Sequence, residues 1–347
     1  MEISVLFYLS SGLFLGWALG ANQLGNIFGT ALGTHMVSFK KAAFLTSLCL
    51  ILGAFFSASG TAETMAGLGQ VKGLAGAFTI AFSAAVALFM MTKAGIPVSS
   101  TQAIVGSFLG WNLYNQFSLP TLVMSKIFIA WILSPFLAGM MAFLLMKALR
   151  FYLYKRPIPI LYVDAYLRLG LLIVGMFAAY AVGANNIPNV MGPFLFANPF
   201  QKFVLFGYEI SPLQQLFFLG ASAMAVGVYT FSKRVVQTIG GDLLKMTSLD
   251  AFVIVASQGI VLFLFSSVSL QQLLLKMNLP TFPLVPVSNS EAIIGAIIGV
   301  SLSKGTKGLK YKEVLRIMRG WIISPFVAMI LCFVALFFMA NVFQLSV

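Results

Sequence analysis

The feature that most constrains this chain is the recurrence, from one end to the other, of apolar runs about 20 residues long. A helix of that length matches the ~30 Å hydrocarbon core of a bilayer. Ten candidates can be read: 3–22, 42–60, 74–92, 97–113 and 121–149, then 165–186, 213–231, 251–270, 284–302 and 320–343. Hydrophobic residues make up 60% of the chain and charged residues 8%, against about 25% charged in a soluble domain. Inside lipid every backbone N–H and C=O must find a partner within the protein, which the α-helix guarantees. The expected fold is therefore all-α and integral to the membrane, with about ten transmembrane segments. Some are expected to be broken or re-entrant, above all 97–113, which is short and interrupted by Gly and polar residues. Segment 121–149 can tilt or bend at Pro135.

The charges sit in the short gaps between these runs. The chain has 21 Lys and Arg against eight Asp and Glu, and in this setting the excess reads as topology rather than as a nucleic-acid patch. With the N-terminus outside and ten crossings, Lys72, Lys126, Lys202 and Lys276 fall outside and the other 17 basic residues fall inside. Both termini are therefore expected outside a multi-pass plasma-membrane protein. The apolar N-terminus has no basic leader and no clear cleavage site, so it is retained as a segment. Cys49 and Cys332 lie in apolar runs, with neither disulfide nor metal-ligand spacing.

The chain also repeats itself. Residues 20–29 read GANQLGNIFG and 183–192 read GANNIPNVMG; 97–110 read PVSSTQAIVGSFLG and 286–299 read PVSNSEAIIGAIIG; 131–136 read WILSPF and 321–326 read WIISPF. Three matched pairs in one order imply a duplication. The first repeat is assigned to 1–149 and the second to 165–347, joined by a basic cytoplasmic linker at 150–164. Five segments per copy is an odd number, so the second copy is inverted. Inverted repeats are a signature of secondary transporters, which hold substrate near the midplane between broken helices. Breaks are expected at Gly20 and Gly183, and helix starts at Pro97 and Pro286.

Polar residues at the duplicated positions are the candidate substrate site. They are Asn22, Gln23 and Asn26 with Ser99, Ser100, Thr101 and Gln102 in the first copy. In the second they are Asn185, Asn186 and Asn189 with Ser288, Asn289 and Ser290. Small polar clusters also serve close helix packing in membranes, but amides are costly in lipid and these recur in register. A helix N-terminus offers free N–H groups and partial positive charge to an anion. Two such termini entering from opposite faces could clamp a tetrahedral oxyanion. Glu291 is the acidic residue set deep in the second half-site, either as a proton carrier or as a neutral structural group.

These elements, GAN-x-x-x-N, PVS and W-I-x-S-P-F, each present twice, resemble the PiT-type inorganic phosphate transporter family, which also contains bacterial sulfate permeases of the CysP type. The resemblance covers essentially the whole chain. It implies an inverted-repeat fold, ion-coupled uptake, and a substrate site shared by the two copies. Phosphate-transporting members typically carry Asp where this chain has Gln23 and Asn186, and His where it has Gln102 and Glu291. Phosphate near neutral pH keeps a proton, which a carboxylate can accept. Sulfate has none, and two unit charges ~4 Å apart repel by about 4 kcal/mol at an effective dielectric of 20. Amides instead donate N–H.

The resulting expectation is a sulfate permease driven by an ion gradient, with the proton favoured over sodium and no other cofactor. Phosphate symport within the same family is the alternative. An anion channel is disfavoured because the duplicated breaks suit an occluded site better than a continuous pore. An enzyme is not expected, since no His cluster, metal-ligand spacing, nucleophile elbow or carboxylate pair is present, and a P-loop is absent. The expected partners are the oxyanion and membrane lipid, not nucleic acid, with a homodimer left open. His35 is read as a loop or interface residue, and Glu63 as a structural, helix-capping residue with the outer vestibule as the alternative. Lys233, Arg234 and Lys245 are read as topology signals, with a gating role as the alternative. The 34 Phe and 17 Met are read as packing and lipid-facing surface.

Overall fold

The computed structural model describes residues 3–33, 35–93, 98–155, 159–232, 236, 246–305 and 310–347. Lys233, Arg234, Lys245 and Pro97 lie outside the described residues. The helices are α1 (Ile3–Gly33), α2 (Phe39–Ser57), α3 (Ser59–Ala66), α4 (Leu74–Lys93), α5 (Ser100–Tyr114), α6 (Thr121–Lys155), α7 (Ile160–Met191), α8 (Pro212–Thr230), α9 (Ser248–Ser266), α10 (Val268–Lys276), α11 (Asn289–Ser303) and α12 (Tyr311–Asn341). Among the described residues, eight of these are long and apolar enough to cross a bilayer: α1, α2, α4, α6, α7, α8, α9 and α12.

The other two expected segments, 97–113 and 284–302, are of the broken kind. Their helices α5 and α11 have 15 residues each, or ~22 Å at 1.5 Å per residue, short of the hydrocarbon core. Val98 and Ser99 before α5, and the chain from 279 to 288 before α11, are not helical, and Ser99, Thr101, Ser288 and Ser290 are buried. Non-helical backbone at this depth is tolerable because it is enclosed by protein. Pro286 precedes α11 by three residues and is not in its first turn. Ser288 is the N-cap, accepting from Glu291 N at 3.2 Å, and Ser99 caps α5 by the same bond from Gln102 N.

The expected breaks at Gly20 and Gly183 are not there. Helices α1 and α7 run unbroken through both GAN elements. The glycines serve contact instead: a Cβ on Gly20 would lie 1.9 Å from Met224 O of α8, and one on Gly183 would lie 2.1 Å from Leu50 O of α2. Only hydrogen lets these backbones approach so closely. The connection expected over 150–164 is also largely helical, since α6 runs to Lys155 and α7 begins at Ile160. One element is not helical. Phe203–Leu205 pairs antiparallel with Tyr208–Ile210 around Phe206 and Gly207, both at positive φ (49° and 83°), as a two-residue hairpin requires.

Matched elements make matched contacts. Helix α1 packs on α8 and α4, and α7 packs on α2 and α9; α5 packs on α12, and α11 on α6. The principal partner of α1, α5, α7 and α11 alike thus includes a helix from the other half of the chain, so the halves interlock rather than sit side by side. This interlocking brings the N-termini of α5 and α11 to the amides of α1 and α7.

Candidate oxyanion site

A small polar cavity lies where α1 meets the starts of α5 and α11. It is lined by Asn22, Gln23, Asn26, Ser100, Asn289 and Ser290, with Leu19 and Val98 as apolar wall. It admits water-sized spheres over about 10 Å³, room for one water. No acidic or basic side chain lines it. The polar groups offered are amides, hydroxyls and the first turns of two helices whose N–H groups are not used by intrahelical bonds.

Three of the four lining amides are held by a neighbour. Asn22 donates to Thr92 Oγ1 at 3.1 Å, and Asn289 donates to Gln23 Oε1 at 2.5 Å. Asn26 keeps a buried Oδ1 with no partner among the described residues. Asn22 and Asn26, four residues apart, lie one above the other on the same face of α1, and Gln23 flanks them about 100° round the helix.

The matching amides of α7 do something different. Asn185 donates to Val287 O at 2.7 Å and accepts from Val287 N at 3.1 Å, clamping the irregular chain before α11. It also donates to Asn186 Oδ1 at 2.8 Å. Asn189 donates to Thr101 Oγ1 at 3.0 Å. These groups bond to one another and to the chain around them rather than lining the cavity, with Asn186 Nδ2 and Asn189 Oδ1 left buried without a partner among the described residues. The fourteen sequence candidates, all buried except the half-buried Ser100, therefore form one polar core but divide in role. Six face the cavity; Ser99 and Ser288 cap the two helices; Thr101, Asn185, Asn186 and Asn189 knit α5, α7 and the chain before α11 together.

Gln102 and Glu291 face away from the cavity. Gln102 Nε2 donates to Glu291 Oε1, and both residues sit at the floor of an apolar groove of about 560 Å³ walled by Trp131 and Pro135 of α6 and Trp321 and Pro325 of α12. His35 is exposed in a turn at positive φ, as a loop residue, whereas Glu63 is exposed inside α3, whose N-cap position is held by Ala58 with no side-chain cap.

Three buried polar residues outside the duplicated motifs bear on this arrangement: Gln258, Thr92 and Asp250. Gln258 donates to Asn289 Oδ1, and Asp250 accepts from Thr247 N, completing the capping box at the start of α9, while pairing with Lys304. A fourth matched pair could have pointed to two of them. Residues 77–89 read AFTIAFSAAVALF and 251–263 read AFVIVASQGIVLF, which sets Gln258 against Ala84 and Asp250 against Gly76. Only the second copy carries polar groups at these positions.

The sequence profile of a family described as the phosphate transporter family matches residues 19–273 and 273–346. A protein named "Putative phosphate permease" in Methanocaldococcus jannaschii is 28% identical over 334 residues, covering 96% of this chain and 97% of the relative. The sulfate permease CysP of Bacillus subtilis is 24% identical over 357 residues, covering all of this chain and 91% of the relative. The solved structure of a sodium-dependent phosphate transporter superposes with a TM-score of 0.75 at 17% identity, covering 96% of this chain and 98% of that one, which establishes a shared fold. The duplicated motifs, the helical membrane fold and the match along nearly the whole length agree: this chain is a membrane transport protein of the phosphate transporter family.

Proposed function

We propose that the chain is a secondary-active transporter of a small inorganic oxyanion, with sulfate the favoured substrate and a proton the favoured coupling ion. The observation that carries this reading is the cavity between the starts of α5 and α11, walled by donors and free of carboxylates. Neutral donors and helix N-termini can hold a fully ionised dianion without a compensating proton. An Asp in place of Gln23 would repel it. The likeness to the sulfate permease of Bacillus subtilis supports sulfate, whereas the phosphate permease relatives favour phosphate as the second reading.

The cavity is too small for a tetrahedral oxyanion as it stands. Binding requires the start of α5 or α11 to withdraw, which fits alternating access by two interlocked, inverted repeats covering 1–149 and 165–347. Glu291, beside the site on the first turn of α11, is assigned the coupling proton. Sodium is the alternative, supported by the likeness in fold to a sodium-dependent transporter.

The test is uptake of radiolabelled sulfate and phosphate into proteoliposomes under imposed proton or sodium gradients, with each unlabelled anion as competitor. Sulfate accumulation indifferent to phosphate supports the proposal. Phosphate accumulation, with sulfate inert, overturns the substrate and leaves the transporter class intact.

A further inference from the structure

Three buried amides form one directed chain across three helices. Gln258 of α9 donates through Nε2 to Oδ1 of Asn289, the first residue of α11. Asn289 donates through Nδ2 to Gln23 Oε1 on α1. A primary amide has a donor end and an acceptor end, so a chain of amides has a direction. In the direction observed, the carbonyls of Asn289 and Gln23 are consumed. Gln23 is left with its Nε2 hydrogens, which take no partner among the described residues, at the wall of the cavity it lines.

The opposite direction satisfies the same number of bonds. Turning all three amides by half a turn would have Gln23 donate to Asn289 and Asn289 donate to Gln258. Gln258 Oε1, which is buried without a partner, would then be used and its Nε2 left over. The cavity would meet the carbonyl oxygen of Gln23 instead of its N–H groups. An N–H wall attracts an anion and a carbonyl wall repels one. The residue at the far end of the relay therefore bears on the polarity of the cavity without touching it. The first copy has Ala84 at this place and no such relay.

We propose that Gln258 is a positioning residue for anion selectivity: acting through Asn289, it holds the Gln23 amide with its N–H groups toward the substrate. This rests on the oxyanion-site reading above. A carboxylate at 258 can only accept. Gln258→Glu would take the N–H of Asn289, reverse the relay and turn the Gln23 carbonyl toward the anion. Gln258→Met keeps the length of the side chain but leaves the relay without a set direction.

The experiment measures KM and maximal rate of oxyanion uptake in proteoliposomes for both variants, for Asn26→Ala, and for each Gln258 variant combined with Asn289→Ala; thermal unfolding in detergent checks folding. Loss of donor orientation at one contact to an ion is expected to raise KM more than about tenfold in Gln258→Glu and about threefold in Gln258→Met, with maximal rates little changed. Both effects should vanish in the Asn289→Ala background, because they act through that residue. Equal KM values in wild type and Gln258→Met overturn the proposal even if Gln258→Glu does not fold, as do effects that simply add to that of Asn289→Ala. An unchanged KM in Asn26→Ala overturns the site itself. Weakened Asn26→Ala with normal Gln258 variants overturns the relay alone.

Discussion

Gln102 and Glu291 hold the same position in the two copies, and each is the other's hydrogen-bond partner. The bond from Gln102 Nε2 to Glu291 Oε1 ties the first turn of α5 to the first turn of α11. It leaves Gln102 Oε1 and Glu291 Oε2 both buried without a donor. One proton on Oε2 supplies the donor that this pair lacks.

That accounting gives the first prediction. Glu291→Gln should abolish the response of uptake to an imposed pH gradient while leaving exchange of internal for external substrate measurable. A roughly tenfold or greater loss of gradient-driven accumulation is expected for an intramembrane proton carrier. Accumulation that still follows the pH gradient in this variant would remove Glu291 from the coupling step.

Equivalent asparagines should fail in different ways. Asn26→Ala removes a cavity group and should raise KM without lowering thermal stability. Asn185→Ala strips two hydrogen bonds from the buried backbone of Val287. Each orphaned backbone group costs roughly 1–3 kcal/mol, so this variant should unfold at lower temperature in detergent. A normal melting curve for Asn185→Ala would mean that the clamp on Val287 is dispensable.

Introducing charge into the cavity probes substrate choice. Gln23→Asp sets a carboxylate against the anion and removes the donor. At ~4 Å and an effective dielectric of 20 each unit-charge pair is worth about 4 kcal/mol, so sulfate uptake should fall by well over tenfold. A monoprotonated phosphate, able to donate to the new carboxylate, should lose less. The ratio of the two uptake rates is the readout, and a ratio unmoved by Gln23→Asp would separate residue 23 from selectivity.

Close helix crossings predict where size alone is harmful. A Cβ on Gly295 of α11 would lie 2.1 Å from Pro135 O of α6, and a Cβ on Gly106 of α5 would lie 2.1 Å from Pro325 O of α12. Gly295→Ala must push α11 from α6, and overpacking of this sort costs about 1–3 kcal/mol. Melting temperature in detergent should fall for both Gly295→Ala and Gly106→Ala.

The Asp250–Lys304 pair ties the start of α9 to the end of α11, with Asp250 almost wholly buried and the Lys304 side chain 19% exposed. Lys304→Met leaves that carboxylate without its cation, at a cost of about 3 kcal/mol. Adding Asp250→Asn should recover most of the loss, since the Asn oxygen can still accept from Thr247 N in the capping box. Thermal unfolding of the single and double variants tests this, and a double variant no more stable than Lys304→Met would argue against the pairing.

Much of the molecule is legible in the order of its residues. Ten apolar runs dictate a membrane chain because nothing else could solvate them, and eight of the helices are of spanning length. The small-residue signals are more ambiguous. Gly20 and Gly183 resemble helix breaks, but a lone Gly in a long apolar helix costs only about 1 kcal/mol, less than the contacts it permits with Met224 and Leu50. Asp250 and Gln258 carry no motif of their own, and only the match of 251–263 to 77–89 sets them apart from Gly76 and Ala84 in the first copy.

What the sequence by itself determined is residence in the bilayer, the duplicated motifs and the inventory of buried amides, because hydrophobicity and repetition are properties of the chain in order. Only the tertiary structure decided which amides face a common space. Successive residues at a helix start point about 100° apart. Asn289 and Ser290 therefore line the cavity while Glu291, the next residue, meets Gln102 above an apolar groove. The near-identical GAN elements divided likewise, one toward the cavity and one onto the backbone of Val287, because what an amide meets is set by the helix packed against it and not by its neighbours in sequence.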